Sequence, residues 1–246
     1  MALKMYRVFS DESGHWNDTN HNVYIRAWLK ISEEDSGRLE QERPFASYID
    51  LLKEVSTDTT VLFTVTDLRF FRGRYLRFRK SIDSALSKLM GEQSWPKYIT
   101  DNAAKDIRSA VNKCLFLNIY EKYHIVDALE RLNSNNVTSW TINNPQFNKP
   151  EYIRVCDEQG LENPILVKER DYSTEMKIVD ALSKLLRKMI DSKFSNPRDV
   201  NKFKSSILPY LHSNNINGGI KAVFTNDEGS RVSAWKDSLS RALGDT

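Results

Sequence analysis

An α/β domain built on a mixed sheet, followed by a small appendage, is the fold that this sequence predicts. Three observations predict it. Short runs rich in β-branched and aromatic residues open the chain, long stretches with apolar residues at three-and-four spacing follow, and strand-like runs return before a last helical stretch. Elements in the order strand, strand, strand, helices, strand, strand, helix suit a sheet with helices against it. The domain is expected over residues 1–190 and the appended subdomain over 191–246.

The apolar run that begins at Met5 ends abruptly in Asp11-Glu12-Ser13-Gly14, so it reads as a strand delivering carboxylates to a sheet edge. Asn17-Asp18-Thr19-Asn20 is a turn cluster, and Val23–Ile31 completes a hairpin. Between Ser32 and Val55, Phe45, Tyr48, Leu51, Leu52 and Val55 follow helical spacing with Pro44 in the first turn. Thr60–Thr66 is a third strand. Helices are predicted from Leu76 to Met90 and from Ala103 to Leu132, the second with a buried stripe of Ile107, Val111, Leu115, Ile119, Tyr123, Val126 and Leu129.

Val137–Ile142, Tyr152–Cys156 and Pro164–Val167 read as strands, and Ser173 or Thr174 starts a helix that runs to about Ile190. Asp157-Glu158-Gln159-Gly160 repeats the logic of the first motif: an apolar strand, two acids, then a glycine. In the appendage, a helix over Val200–Leu208, a strand over Ile220–Phe224 and a helix over Ser233–Leu243 are expected.

Composition excludes several classes. No run approaches the roughly eighteen apolar residues of a membrane helix, and Met1-Ala2-Leu3-Lys4 leads into a strand without a signal-peptide pattern, so a cytoplasmic location is expected. Cys114 and Cys156 lack metal-type spacing and read as core thiols. His15, His21, His124 and His212 show no paired metal spacing, and neither a P-loop nor a dinucleotide glycine pattern is present. A net charge of +3, from 36 basic and 33 acidic residues, neither demands nor excludes nucleic acid.

Local charge says more. Arg69, Arg72, Arg74, Arg77, Arg79 and Lys80 alternate with Phe70, Phe71 and Tyr75, a pattern in which cations grip phosphates while rings stack on bases. The same run also reads as a solvated helix face. Lys184, Arg187 and Lys188 form a weaker basic group on one helix surface.

Asp11-Glu12-Ser13-Gly14 directly after the first strand, with Glu175-Met176-Lys177-Ile178-Val179-Asp180-Ala181-Leu182 far downstream, resembles the domain-of-unknown-function 3800 family. The resemblance implies a ribonuclease-H-like fold, a helix with an inward-facing aspartate at Asp180, and a nuclease of bacterial or mobile-element defence or toxin systems. It also selects Asp180 over Asp127, because Ile125-Val126-Asp127-Ala128-Leu129 repeats the pentapeptide around Asp180. Lys177 and Val179 stand where the family usually has glutamine and alanine, and Ala27 and Trp28 where it has paired small residues.

If the first strand and the Tyr152–Cys156 strand are parallel neighbours, Asp11, Asp157 and Asp180 converge. Three carboxylates repel one another, so their convergence implies Mg²⁺ or Mn²⁺, and a pair of ions about 3.5–4 Å apart suits phosphodiester hydrolysis. Glu12, Glu158 or Glu175 would complete the shell or orient a water, with Glu12 preferred because it belongs to the motif. Asp157 reads equally as a strand end and Asp180 as an exposed partner of Lys184. The expectation is a metal-dependent nuclease of DNA or RNA; the alternative is a catalytically silent subunit that binds nucleic acid or protein. A protein partner is expected at the C-terminal region.

Overall fold

The computed structural model describes residues 4–14, 23–39, 48, 51–52, 59–68, 80–81, 83–85, 87–88, 97–132, 135–143, 149–191 and 221–224. Six strands form one sheet: β1 (Tyr6–Ser13), β2 (Val23–Ser32), β3 (Thr60–Asp67), β4 (Val137–Asn143), β5 (Ile165–Val167) and β6 (Lys221–Phe224), in the order β5-β4-β1-β2-β3-β6. β2 is antiparallel to β1 and β3, while β1, β4 and β5 run parallel and β6 runs parallel to β3. With helices against it, this mixed sheet makes an α/β fold. β6 lies where the sequence predicts a strand of the appendage, and it extends the same sheet.

Strand alternation divides the core. Phe9, Ile25, Ala27, Leu29, Val61, Phe63 and Val65 cluster with Met176, Val179, Leu182 and Leu186 of helix α5 (Thr174–Asp191). Ser173 caps that helix, its Oγ accepting the Met176 N–H at 3.4 Å. Val8, Tyr24, Trp28 and Leu62 form the second cluster, with helices α2 (Lys97–Phe116), α3 (Lys122–Arg131) and α4 (Lys149–Glu158) contributing Phe116, Ile125, Ala128, Tyr152 and Val155. All ten residues of β2 are buried, as a central strand covered on both faces requires. Trp28 donates its indole N–H to Thr64 Oγ1 at 3.0 Å and meets the Trp140 ring edge-on.

Three sequence expectations change. The short α1 (Glu33–Leu39), capped by Ser32, forms ahead of the helix expected from Pro44 to Val55; of that span only residues 48, 51 and 52 are described, with Leu51 and Leu52 buried in the α5-side core. The long second helix forms, but its predicted stripe is not the buried one: Ile107 and Tyr123 are each 43% exposed, whereas Phe116, Tyr120, His124 and Ala128 are buried. A π-helical turn at Leu117–Glu121 joins α2 to α3, and its wider spacing rotates the following residues relative to a 3.6-residue pattern. Of the helix expected over Leu76–Met90, residues 80–81, 83–85, 87 and 88 are described and helical.

The third correction matters most for the site. Tyr152–Cys156 is not a strand but the middle of α4, with Pro150 in the first turn and Tyr152, Val155 and Cys156 buried at three-and-four spacing. The glycine of the supposed second acidic motif ends this helix. Gly160 has φ +82°, the Gly160 N–H bonds to Asp157 O and the Leu161 N–H to Cys156 O, each at 3.0 Å, which is a Schellman closure. Cys156 is the expected core thiol, whereas Cys114 is exposed.

No atom within 4 Å crowds the position a Gly160 Cβ would take, so Gly160→Ala tests backbone strain alone. The substitution is expected to cost about 1–2 kcal/mol in denaturant unfolding while leaving the carboxylates described below undisturbed.

Candidate functional site

Parallel strands β1, β4 and β5 end on the same side of the sheet, the side on which open α/β sheets place their ligands. A cavity of about 490 Å³ opens there, lined by Asp11, Glu12, Ser13 and Gly14 from β1 and its turn, Asn143 from the end of β4, and Lys168 and Glu169 just after β5. Tyr172, Asp180, Lys184 and Arg187 complete the lining. The last three are spaced four and three apart on α5, so the helix presents them as one stripe.

Asp11 belongs to the α5 side, because residues two apart on a strand share a face and Phe9 packs there. It is 2% exposed. Its carboxylate accepts the Glu12 N–H at 2.8 Å and the Tyr172 hydroxyl. Burial, then the neighbouring Glu12 and Asp180 carboxylates, push its pKa from the ordinary 3.8 up to about 7. Asp180 is 24% exposed at its side chain and accepts from Lys184 Nζ at 2.7 Å. Both roles weighed for it are realised together: it faces the pocket and pairs with Lys184. Lys177 does not interfere, since its exposed ammonium sits 5.6 Å from the Tyr48 ring centroid.

Glu12 points to the opposite side of the sheet, as its neighbour's placement demands. There its carboxylate accepts Arg26 Nη2 at 3.0 Å and the Asn143 side chain. Arg26 is fully buried and also pairs with Glu121, the last residue of the π turn, at 2.7 Å; it reaches Ser10 Oγ and Tyr24 Oη at 3.3 Å each. Tyr152 donates its hydroxyl to Glu121 Oε1 at 3.0 Å. Burial opposes the Arg26 charge, but Glu121, Tyr152, Tyr24 and Glu12 outweigh it and keep the guanidinium cationic. Burial raises the Glu12 pKa and Arg26 offsets part of the rise.

Asp157 is exposed at the end of α4 and takes no part in lining the cavity, so three-aspartate convergence does not occur. The expectation failed because it needed Tyr152–Cys156 to be a strand. Glu158 pairs with Arg154 on the surface, and Glu175 is buried against the Ser36 hydroxyl. Arg69, Arg72, Arg74, Arg77 and Arg79 lie outside the described residues, as do His15 and His21; Lys80 is described and exposed. His124 is buried between the Thr64 and Thr66 hydroxyls, and burial holds it neutral.

Sequence reasoning missed Tyr172, Asn143, Lys168, Glu169, Arg26 and Glu121. The signal for three of them was the position just after or at the end of a parallel strand. For Arg26 it was a charged residue inside an otherwise apolar run.

The donor set fits a hard cation. Among the described residues no group of three or more His, Cys, Asp or Glu side chains is assembled to hold a metal, but Mg²⁺ commonly binds through one or two carboxylates plus waters and substrate phosphates. Asp11 and Asp180 are the two carboxylates that could fill that role, and the Asp11 pKa is raised first by burial and then by the Glu12 and Asp180 carboxylates. The two-ion set expected from three aspartates is reduced accordingly.

No family model and no curated protein sequence matches the chain. Among solved structures it is similar to a chain of the PCNA:RNase HII complex from Archaeoglobus fulgidus, at 11% identity over 98% of this chain and 91% of that one, with a TM-score of 0.40. It is also similar to the ribonuclease H2 from Pyrococcus horikoshii OT3, at 16% identity over 98% of this chain and 90% of that one, with a TM-score of 0.39.

Two outcomes follow from these contacts. Between pH 3.8 and about 7 the folded chain holds a proton on Asp11 that the unfolded chain has lost, so this group's stabilisation is complete below pH 3.8 and disappears as the pH rises through about 7. Urea unfolding at a series of pH values should therefore show stability falling across that window in the wild type and a flatter profile in Asp11→Asn. Arg26→Ala leaves Glu12 and Glu121 buried without their cation and should lower stability by about 3–5 kcal/mol.

Proposed function

We propose that the chain is a Mg²⁺- or Mn²⁺-dependent phosphodiesterase that hydrolyses DNA or RNA. The observation that carries this reading is the pairing of Asp11 and Asp180 in a pocket whose rim is basic: two carboxylates for a cation, with Lys168, Lys184 and Arg187 for the phosphate the cation would meet. The resemblance of Asp11-Glu12-Ser13-Gly14 and the Asp180 helix to the domain-of-unknown-function 3800 family supports it, and it is the sole support for a defence or toxin setting.

Asp11 and Asp180 would hold the ion, which when bound lowers the pKa of water and offsets charge developing on the phosphoryl oxygens. The chain's own groups do the remaining work. Tyr172 donates to Asp11 and fixes the direction of its lone pairs. Arg26 and Asn143 hold Glu12 on the far side of the strand, so the backbone that carries Asp11 is pinned. Lys184 holds Asp180 and places a cation beside the substrate's anionic oxygens.

That same Lys184 contact favours the alternative of a silent binding subunit, because it satisfies Asp180 without a metal. The assay that decides is incubation of purified protein with labelled single- and double-stranded DNA and RNA in Mn²⁺ or chelator. The proposal expects chelator-sensitive cutting that falls at least about 100-fold in both Asp11→Asn and Asp180→Asn, since even the outer partners of metal ligands are worth 10- to 100-fold. Asp157→Asn should cut like the wild type. Binding without cutting in any condition would select the silent subunit.

A further inference from the structure

Among the described residues, two cations of the pocket rim have no carboxylate paired with them. Lys184 is held by Asp180 and Arg26 by Glu12 and Glu121, but among the described residues no carboxylate pairs with Lys168 or Arg187. Lys168 directly follows β5, and Arg187 lies one turn beyond Lys184 on α5, so they reach the cavity from different elements.

Arg187 reaches back to the end of β1. Gly14 has φ +102°, and a Cβ there would come within 2.8 Å of Val23 O and 3.7 Å of Arg187 Cδ. Glycine is required there by the Val23 carbonyl and the positive φ, while the arginine stem lies at ordinary contact distance beside it. Beside it is an independent sign of a ligand: Ser13 is 4% exposed, lines the cavity, and its Oγ has no hydrogen-bond partner among the described residues. A buried hydroxyl left unmatched costs free energy unless a ligand completes it. One hydroxyl able to donate, one ammonium and one planar guanidinium, in a cavity that Glu169 also lines, offer three kinds of donor that suit phosphate oxygens.

We propose that Ser13, Lys168 and Arg187 grip the phosphates adjoining the one presented to Asp11 and Asp180, so that the site takes a nucleic-acid strand rather than an isolated phosphate ester. This rests on the phosphodiesterase reading for which phosphate is cut, but the grip itself operates without cutting. The phosphate-holding cations nearest the chemistry are thus at the strand ends and on α5.

The test is fluorescence anisotropy of a labelled single-stranded oligonucleotide in chelator, over a series of salt concentrations, with thermal melts to check that each variant folds. Lys168→Ala and Arg187→Ala should each weaken binding about tenfold, the worth of one charged hydrogen bond, and each should reduce the salt slope by about 0.7. Ser13→Ala should weaken binding with the slope unchanged, because the lost donor is neutral. Wild-type affinity and slope in the Lys168→Ala/Arg187→Ala double variant would overturn the proposal, as would absence of oligonucleotide binding by the wild type. Equal displacement by a heparin fragment with the same variant dependence would also overturn it, since it would mark a general polyanion surface.

Hydrolysis of bis(p-nitrophenyl) phosphate in Mn²⁺ separates this inference from the reading beneath it. Oligonucleotide binding that falls in the variants, with no hydrolysis by any protein, keeps the grip and removes the phosphodiesterase. Hydrolysis that needs Asp11, with variants that bind oligonucleotide normally, does the reverse.

Discussion

A guanidinium with no access to water has to be surrounded by acceptors, and meeting that demand at Arg26 organises much of this molecule. Arg26 sits in the central strand β2 and is 0% exposed. Its partners come from three places: Glu12 and Ser10 across the hairpin, Tyr24 two residues away, and Glu121 from the helical layer. The π turn at Leu117–Glu121 is the feature that ends at the last of these, so a local departure from α-helical spacing coincides with a buried ion pair. Such a cluster contributes little net stability compared with an apolar one, but it penalises any alternative register, because shifting β2 by one residue would bring Arg26 to the apolar α5 side.

What this does for the site follows from the two-residue period of a strand. With Glu12 committed to Arg26, Asp11 alone faces α5, and Asp180 meets it from that helix. The pair is therefore assembled between two elements that pack through a large apolar surface, which includes Phe9, Ile25, Val179 and Leu182. Rigid carboxylates of this kind cannot separate to relieve their repulsion. Desolvation and mutual repulsion appear instead as a raised Asp11 pKa, a state that proton or metal binding relieves. The basic rim is supplied by residues that play no part in that packing.

The amount of this legible in the sequence divides along physical lines. The hairpin of β1 and β2, the strands β3 and β4, and α5 with its Ser173 cap each carry a local signal, and each was read correctly in type. Tyr152–Cys156 was not, because four apolar or aromatic residues within five fit a buried strand and a short helix equally; Pro150 before them and Gly160 after them were the deciding signals. Losing that strand removes Asp157 from the site. Beyond Phe116 the stripe along the long helix failed for a different reason, since a π turn has no strong sequence signature and displaces every later position; Ile107 precedes the turn and its exposure is not explained by it. Glu12 is expected from sequence to complete the shell or orient a water beside Asp11, although alternation alone places adjacent strand residues on opposite faces.

The claim on which the functional account stands is that Asp11 and Asp180 bracket one cation. Anomalous diffraction from crystals soaked in Mn²⁺ measures this directly. The account predicts an anomalous peak within coordination distance of both carboxylates, with Lys184 displaced or retained beside Asp180. A manganese site elsewhere on the chain, with Asp11 still bonded only to Tyr172 and the Glu12 N–H, would contradict it.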